Sequence, residues 1–200
     1  MTTIIDLEPA ARRLADLVAA VADDQLAGPT ACPAYSLGDL VDHVDGLSRA
    51  FTAAARKDGG NAAPQGPSGD ASRLTPDFRE RIPDQLAALA EAWRDPQAWT
   101  GMTQAGGVDL PGEVAGLVAL NELVVHGWDV ATASGQQYRP DEATLRADEG
   151  FLRQFSGPGN EEARGDLFGP EVAVPADAPL LDRVIAMSGR DPSWTPERPG

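Results

Sequence analysis

The chain contains two histidines, and a glutamate lies four residues before one of them. On a helix this spacing places Glu122 and His126 on one face, from which both side chains can reach one ion. His43 offers a third donor if its own helix faces theirs across a bundle core. Two imidazoles and one carboxylate leave a coordination position open, as in catalytic metal sites. The residue types and their spacing predict a divalent metal site at His43, Glu122 and His126.

Plainer interpretations of the same residues stay open at this point. A glutamate and a histidine at helical spacing are more often an ordinary side-chain pair, and a single histidine on a helix flank is more often a core residue. Glu122 nevertheless needs a partner, because the segment around it is apolar nearly all round and an unpaired buried carboxylate is costly. Because all three residues occur together, the metal interpretation and the plainer interpretations have about equal weight at this point.

Two carboxylates have the spacing to orient the imidazoles from behind. Asp39 lies one turn before His43, and Asp129 lies three residues after His126. A carboxylate that accepts from one ring nitrogen leaves the other nitrogen ready to bind a metal. Asp39 and Asp129 are therefore predicted to support the histidines, although acidic side chains near a helix surface are also common without such a role.

Three further residues lie near the predicted site in the sequence. Tyr35 and Trp128 are candidates for the wall of a pocket, although aromatic residues at helical spacing usually belong to the core. Cys32 precedes a helix start, where the helix dipole lowers a thiol pKa, but it lies outside the first turn and is more simply a small buried thiol. No residue is assigned as catalytic.

Apolar periodicity and helix-end signals predict the elements that must position these residues. Helices are expected over 9–25, over 37–56 with Ser36 as N-cap, from near Pro83 to about Trp93, over 113–133 with Gly135 closing it, and over 140–155. Two connections between helices are expected to be a flexible loop over 57–74 and a short hairpin around Gly106-Gly107. The C-terminal extension, 156–200, is expected to contain an extended segment at 171–174 and a helix that begins at Asp177 to Pro179. No strand alternation could build a large sheet. The chain is thus predicted to be all-α, a bundle of about four helices with C-terminal helical and short extended additions, forming one domain over 1–200.

Composition excludes several classes of function. Asp and Glu total 31 against 16 Lys and Arg, a formal net charge of −15, and without a basic cluster nucleic-acid binding is not expected. No uninterrupted apolar run has the length of a membrane span, so no membrane partner is expected. One cysteine and no visible signal peptide indicate a reducing, cytoplasmic location.

Three blocks of the sequence resemble one family. The stretch Cys32-Pro-Ala-Tyr-Ser-Leu-Gly-Asp-Leu-Val-Asp-His-Val44 is similar to a block of actinobacterial DinB-like metal-binding proteins, which are related to the N-terminal domain of mycothiol-dependent maleylpyruvate isomerase. The stretch Glu122-Leu-Val-Val-His-Gly-Trp-Asp-Val-Ala131 resembles a second block of that family. The tail, 168–178 and 189–194, is similar to the ending of its single-domain branch. Tyr35 stands where the family usually has Trp, and Asn121 where Thr is common.

The resemblance implies a DinB/YfiT-like four-helix bundle with an up-down-down-up arrangement and a metal held by His43, Glu122 and His126. It implies zinc first, with nickel or manganese as alternatives, and mycothiol as cosubstrate. The implied activity is that of a mycothiol-dependent S-transferase or isomerase-like enzyme, in which the metal activates a low-molecular-weight thiol toward a small-molecule electrophile. A non-catalytic metal- or ligand-binding protein of stress response or detoxification, and a metal-assisted hydrolase, are the alternatives. Related bundles often dimerise, so a homodimer is one alternative, but the sequence itself does not determine the oligomeric state.

Overall fold

The computed structural model describes residues 4–58, 68–157, 159–164 and 168–196. The described chain is mostly helical, which confirms the predicted all-α class. Its helices are α1 (Glu8–Ala19), α2 (Leu37–Arg56), α3 (Phe78–Ala92), α4 (Gly112–Ser134), α5 (Glu142–Leu152), α6 (Glu161–Arg164) and α7 (Leu180–Met187). Two short strands, β1 (Met102–Ala105) and β2 (Val108–Pro111), pair antiparallel.

Helices α1 to α4 form the four-helix bundle. The main contacts of α1 are with α3 and α4, and α2 contacts the same two helices. The bundle core is filled by the apolar stripe of α2, including Leu40, Val44 and Leu47, together with Leu120 and Leu123 of α4. Because α2 and α4 are direct neighbours, side chains of the two helices can meet in one site.

Helix α4 is the most buried element of the bundle. It has 23 residues, and by length and composition it could cross a membrane, but 78% of its most apolar window is buried inside the protein. A helix that is apolar nearly all round and covered by protein is a core helix. The few polar side chains of α4 therefore lie in the interior, where each needs a partner.

The predicted start of α2, the predicted end of α4 and the predicted hairpin are confirmed. Ser36 Oγ accepts from the backbone N–H of Asp39, and the Asp39 carboxylate accepts from the N–H of Ser36, so the two residues form a capping box. Gly135 ends α4 with a φ of +72°. Between β1 and β2, Gly106 and Gly107 both have positive φ, as a two-residue hairpin turn of type I′ requires.

The third helix begins earlier than predicted. It starts at Phe78, and Pro83 lies inside it. Proline lacks the N–H that would bond to the carbonyl four residues before it, which made it look like a first-turn residue. The additional turn forms because it buries Phe78 and Ile82, whose exposed fractions are 3% and 0%.

The first helix is shorter than predicted. It ends at Ala19, and residues Asp23–Gln25 form a separate 3₁₀ turn. Ala22 is extended between the two, and its N–H donates to the side-chain oxygen of Gln25 at 3.0 Å. This local hydrogen bond offers the backbone an alternative to continuing the α-helix.

The segment predicted as a flexible loop, 57–74, is ordered at its end. Arg73 Nε donates to the buried carboxylate of Asp42 at 3.0 Å, so this end of the segment contacts α2. The glycine and proline content gave no sign that acidic residues of α2 would hold the loop. Residues 59–67 lie outside the described part of the chain.

The C-terminal extension packs on α5 through α7. The segment predicted as extended, 171–174, belongs to neither described strand, and Val172 N–H donates to the carbonyl of Ala186 at 3.1 Å. Arg164 is buried and donates to the Met187 carbonyl at 2.8 Å. The part of the extension that precedes α7 is thus held to α7 by hydrogen bonds to its backbone carbonyls rather than by strand pairing.

Candidate metal centre

The three predicted ligands meet between α2 and α4. One donor atom from each of His43, Glu122 and His126 lies within 4.8 Å of the other two. Glu122 Oε2 is 3.0 Å from Nε2 of His126 and 3.5 Å from Nε2 of His43. The helical spacing of Glu122 and His126 brings their side chains together as predicted, and the contact of α2 with α4 adds His43.

The site is enclosed but can be reached from the surface. The side chain of His126 is 8% exposed, that of His43 14% and that of Glu122 29%. The two imidazole rings meet edge to face, with their centroids 4.9 Å apart. A small ligand could therefore approach from the Glu122 side, whereas the His126 side is closed by protein.

One carboxylate oxygen of the site receives no hydrogen bond from the described residues. Glu122 Oε2 is buried, and no group in the described part of the chain donates a hydrogen bond to it in acceptable geometry. Both neighbouring nitrogens belong to imidazoles, which bind metals through an unprotonated nitrogen. A buried oxygen facing two imidazole nitrogens is what a borderline cation such as zinc requires, so the donor set fits a divalent metal.

The protonation equilibria of Glu122 and His126 are coupled. Burial raises the pKa of Glu122, but the neighbouring His126 and His43 outweigh burial and hold it well below its usual range. Burial lowers the pKa of His126, but the neighbouring carboxylates of Asp129 and Glu122 outweigh burial and raise it to about 9. The carboxylate is therefore ionised at neutral pH, and a metal ion would take the place of a proton on His126.

Asp129 lies behind His126, where its spacing predicted it. Its Oδ2 atom is 3.1 Å from Nδ1 of His126, and its side chain is fully buried. When Nδ1–H donates to this carboxylate, the Nε2 lone pair is left facing Glu122. Arg190 Nη2 donates to the same oxygen at 3.2 Å.

Asp39 has a different place from that of Asp129. Its Oδ2 accepts from Ser36, and its Oδ1 accepts from the N–H of Ala71 at 2.8 Å. These hydrogen bonds lower the pKa of Asp39. The carboxylate thus caps α2 and anchors the segment after the loop, so its link to His43 is through the start of the helix.

The two predicted pocket aromatics differ in their positions. The ring of Tyr35 lies 5.4 Å from that of His43, so it forms one wall of the site. Trp128 is buried on α4, and no ring contact joins it to either histidine in the described residues.

Cys32 lies near the site and is half-buried. Burial raises its pKa, and the charges of Asp129 and Glu122 act in the same direction, while Arg190 opposes them. The thiol is therefore not activated, in agreement with the plainer interpretation of this residue.

Sequence reasoning missed Arg190 and the buried pair beside the site. The sequence signal for Arg190 is its position in the segment 189–194, which resembles the ending of the family's single-domain branch. Asn121 Nδ2 donates to Asp148 Oδ1 at 3.0 Å, with both side chains buried. Asp148 lies on α5, and nothing in its local sequence distinguishes it from a surface acid.

Tyr138 closes the back of α4 next to His126. Its hydroxyl donates to the carbonyl of Val124 at 2.9 Å, and a Cβ at Gly127 would lie 2.8 Å from that hydroxyl. We expect Tyr138→Phe to lower the free energy of unfolding in urea by about 1 kcal/mol, the net value of one hydrogen bond. Tyr35→Phe is the matched control, because no described residue bonds its hydroxyl, and an equal loss there would contradict the assignment.

Comparison with known proteins agrees with this architecture. Residues 7–131 match the family described as the mycothiol maleylpyruvate isomerase N-terminal domain. Two Mycobacterium tuberculosis proteins, from strains CDC 1551 and H37Rv and both described as uncharacterized, are each 30% identical over 184 residues, covering 88% of this chain and 91% of each relative. No solved structure gives a significant match.

The fold and the site define a class: a four-helix bundle protein with two histidines and a glutamate converging between neighbouring helices. The matched segment includes α1 to α3, nearly all of α4, and the three residues of the site. The chain belongs to the mycothiol maleylpyruvate isomerase N-terminal domain family.

Proposed function

We propose that this protein binds one divalent metal ion through His43, Glu122 and His126, and that it is a mycothiol-dependent S-transferase or isomerase-like enzyme. The ion is zinc in the first instance. The observation that carries the proposal is that one donor atom from each of the three residues lies within 4.8 Å of the other two, while the buried Glu122 Oε2 receives no hydrogen bond from the described part of the chain.

The charges around the site suit a cation and then an anionic sulfur. Glu122 supplies one negative charge, while Asp129 and Arg190 form an ion pair at 3.2 Å and balance each other. A bound divalent ion would supply Lewis acidity that lowers the pKa of a thiol. The summed charge would then be positive, which favours a thiolate at the exposed side of the site.

The chain's own residues bind and orient rather than attack. Asp129 fixes the ring of His126, and Tyr35 walls the approach beside His43. Cys32 is not activated, because burial raises its pKa. A sulfur nucleophile would therefore come from a small molecule, which supports mycothiol as cosubstrate. The thiol proton would go to solvent as sulfur bonds to the electrophilic carbon. In a transfer, the leaving group would depart with the electron pair of the bond that breaks at that carbon; in an addition, the π electron pair would move to the neighbouring atom, which would take a proton from solvent.

The proposal is tested by the thiol dependence of turnover. Untagged, zinc-loaded protein is incubated with a panel of small electrophiles, with mycothiol and without any thiol, and products are followed by mass spectrometry. We expect product to form faster than the uncatalysed rate only in the reactions that contain mycothiol. This acceleration should be lost in Glu122→Gln, because glutamine keeps the shape of the side chain but removes the anionic ligand.

The other outcomes overturn the thiol-dependent reaction in distinct ways. Product formed without thiol would identify a metal-assisted hydrolase. Zinc binding with no turnover on any electrophile would identify a metal-binding protein without catalysis. Equal turnover in wild type and Glu122→Gln would place the reaction away from this site.

A further inference from the structure

We propose that Arg190 is a positioning residue of the metal centre, through which the C-terminal extension holds Asp129 against His126. The inference rests on the metal site proposed above and extends it to a residue outside the bundle. Two contacts that share one oxygen support the inference. Arg190 Nη2 donates to Asp129 Oδ2 at 3.2 Å, and the same oxygen lies 3.1 Å from His126 Nδ1.

Asp129 depends on few contacts. Its side chain is fully buried, and its other oxygen, Oδ1, has no hydrogen-bond partner in the described part of the chain. The described hydrogen bonds to its side chain thus come from His126 and Arg190 alone. An ionised carboxylate in the interior needs a nearby positive charge or several donors, and Arg190 supplies a permanent positive charge from outside the bundle.

The backbone of the extension fixes where Arg190 lies. Gly189 has a φ of +87°, and the N–H of Arg190 donates to the carbonyl of Ile185 at 3.1 Å, so α7 ends in a left-handed turn. A Cβ at position 189 would lie 2.7 Å from the backbone of Gly169. The turn is therefore packed as well as hydrogen-bonded, and the Arg190 side chain is 17% exposed.

The geometry assigns a consequence for metal affinity. With Arg190 in place, Asp129 holds the His126 ring so that Nε2 faces Glu122, 3.0 Å away. Without Arg190 the carboxylate loses one of its two described partners and the ring loses its fixed orientation. Outer partners of metal-bound histidines typically contribute 10–100-fold to metal affinity, and a residue one step further out should lie at the lower end.

The experiment is a competition titration of Zn²⁺ against a chromophoric chelator, using untagged full-length protein. Arg190→Met is expected to weaken zinc binding by about tenfold. Arg183→Met is the matched control, since Arg183 also lies in the extension and pairs with a buried carboxylate, Glu149, at 3.1 Å, away from the site. Its zinc affinity should stay within about twofold of wild type.

A double-mutant cycle shows whether Arg190 acts through Asp129. Asp129→Asn alone should weaken zinc binding, and adding Arg190→Met to it should change the affinity by less than about twofold. Arg190→Lys should recover part of the loss in an otherwise wild-type background, because it keeps the charge. If Arg190→Met does not fold, Arg190→Lys takes its place in the test. A zinc affinity of Arg190→Lys no higher than that of Asp129→Asn would contradict the role.

The outcomes separate this inference from the proposal on which it rests. If wild type binds no zinc, the metal site itself is wrong and the positioning role falls with it. If wild type binds zinc and Arg190→Met binds equally well, the metal site stands and the role of Arg190 is overturned. Additive losses in the cycle would also overturn it, because they would show that Arg190 acts by another route.

Discussion

Untagged protein with His126→Ala is expected to lose its bound divalent ion, with at least about a 100-fold fall in zinc affinity. The substitution removes the most buried of the three donors, and it also leaves Asp129 without the imidazole 3.1 Å away. Two remaining side chains on different helices cannot complete a three-ligand protein site. Elemental analysis by mass spectrometry, on protein without a histidine tag, measures the ion directly.

Val125→Ala is the control for His126→Ala. Val125 is the preceding residue on α4 and is 4% exposed, so its truncation opens a cavity without removing a ligand. It should retain about one equivalent of metal. Full metal occupancy in His126→Ala, or in the corresponding alanine variants of His43 or Glu122, would remove the basis for the site.

Asp148→Asn is expected to stabilise the protein at alkaline pH. Burial raises the pKa of Asp148 from its ordinary value of 3.8 to about 7, although the hydrogen bond from Asn121 acts in the opposite direction. Between these values the folded protein holds a proton that the unfolded chain has released, so stability falls as pH rises from about 4 to about 7. Asparagine keeps the acceptor for Asn121 but carries no charge.

Urea unfolding as a function of pH tests this expectation. The variant should match wild type near about pH 4 and be more stable by about 2–4 kcal/mol at about pH 8.5, the full pKa shift setting the upper value. Asp141→Asn, at the N-cap of the same helix, is the control, because hydrogen bonds with Thr144 outweigh burial there and lower the pKa of Asp141. A gain that is independent of pH would contradict the assigned cause.

The residues of the candidate site can be picked out from the sequence because they are rare in their surroundings. Glu122 and His126 are among few polar side chains on an apolar helix, and such residues need partners that spacing alone can suggest. The capping box at Ser36 and the hairpin at Gly106 followed from equally local rules. The family resemblance added the pairing of α2 with α4, which local rules cannot supply.

The missed features depend on contacts between distant parts of the chain. The first turn of α3 forms because Phe78 is buried against the bundle, which outweighs the signal of Pro83. The order of Arg73 depends on Asp42, and the position of Arg190 depends on a left-handed turn packed against Gly169. None of these contacts leaves a periodic pattern in the sequence.

The boundary of the shared family domain passes through the site. The family match ends at residue 131, whereas Arg190, which contacts Asp129, lies outside it. Two relatives can therefore have identical metal ligands and still differ in the charge behind them, if their extensions differ. If the proposed metal site and the proposed role of Arg190 are correct, changes in the extension can alter the site from outside the bundle, and grouping relatives by the domain alone would leave those differences out.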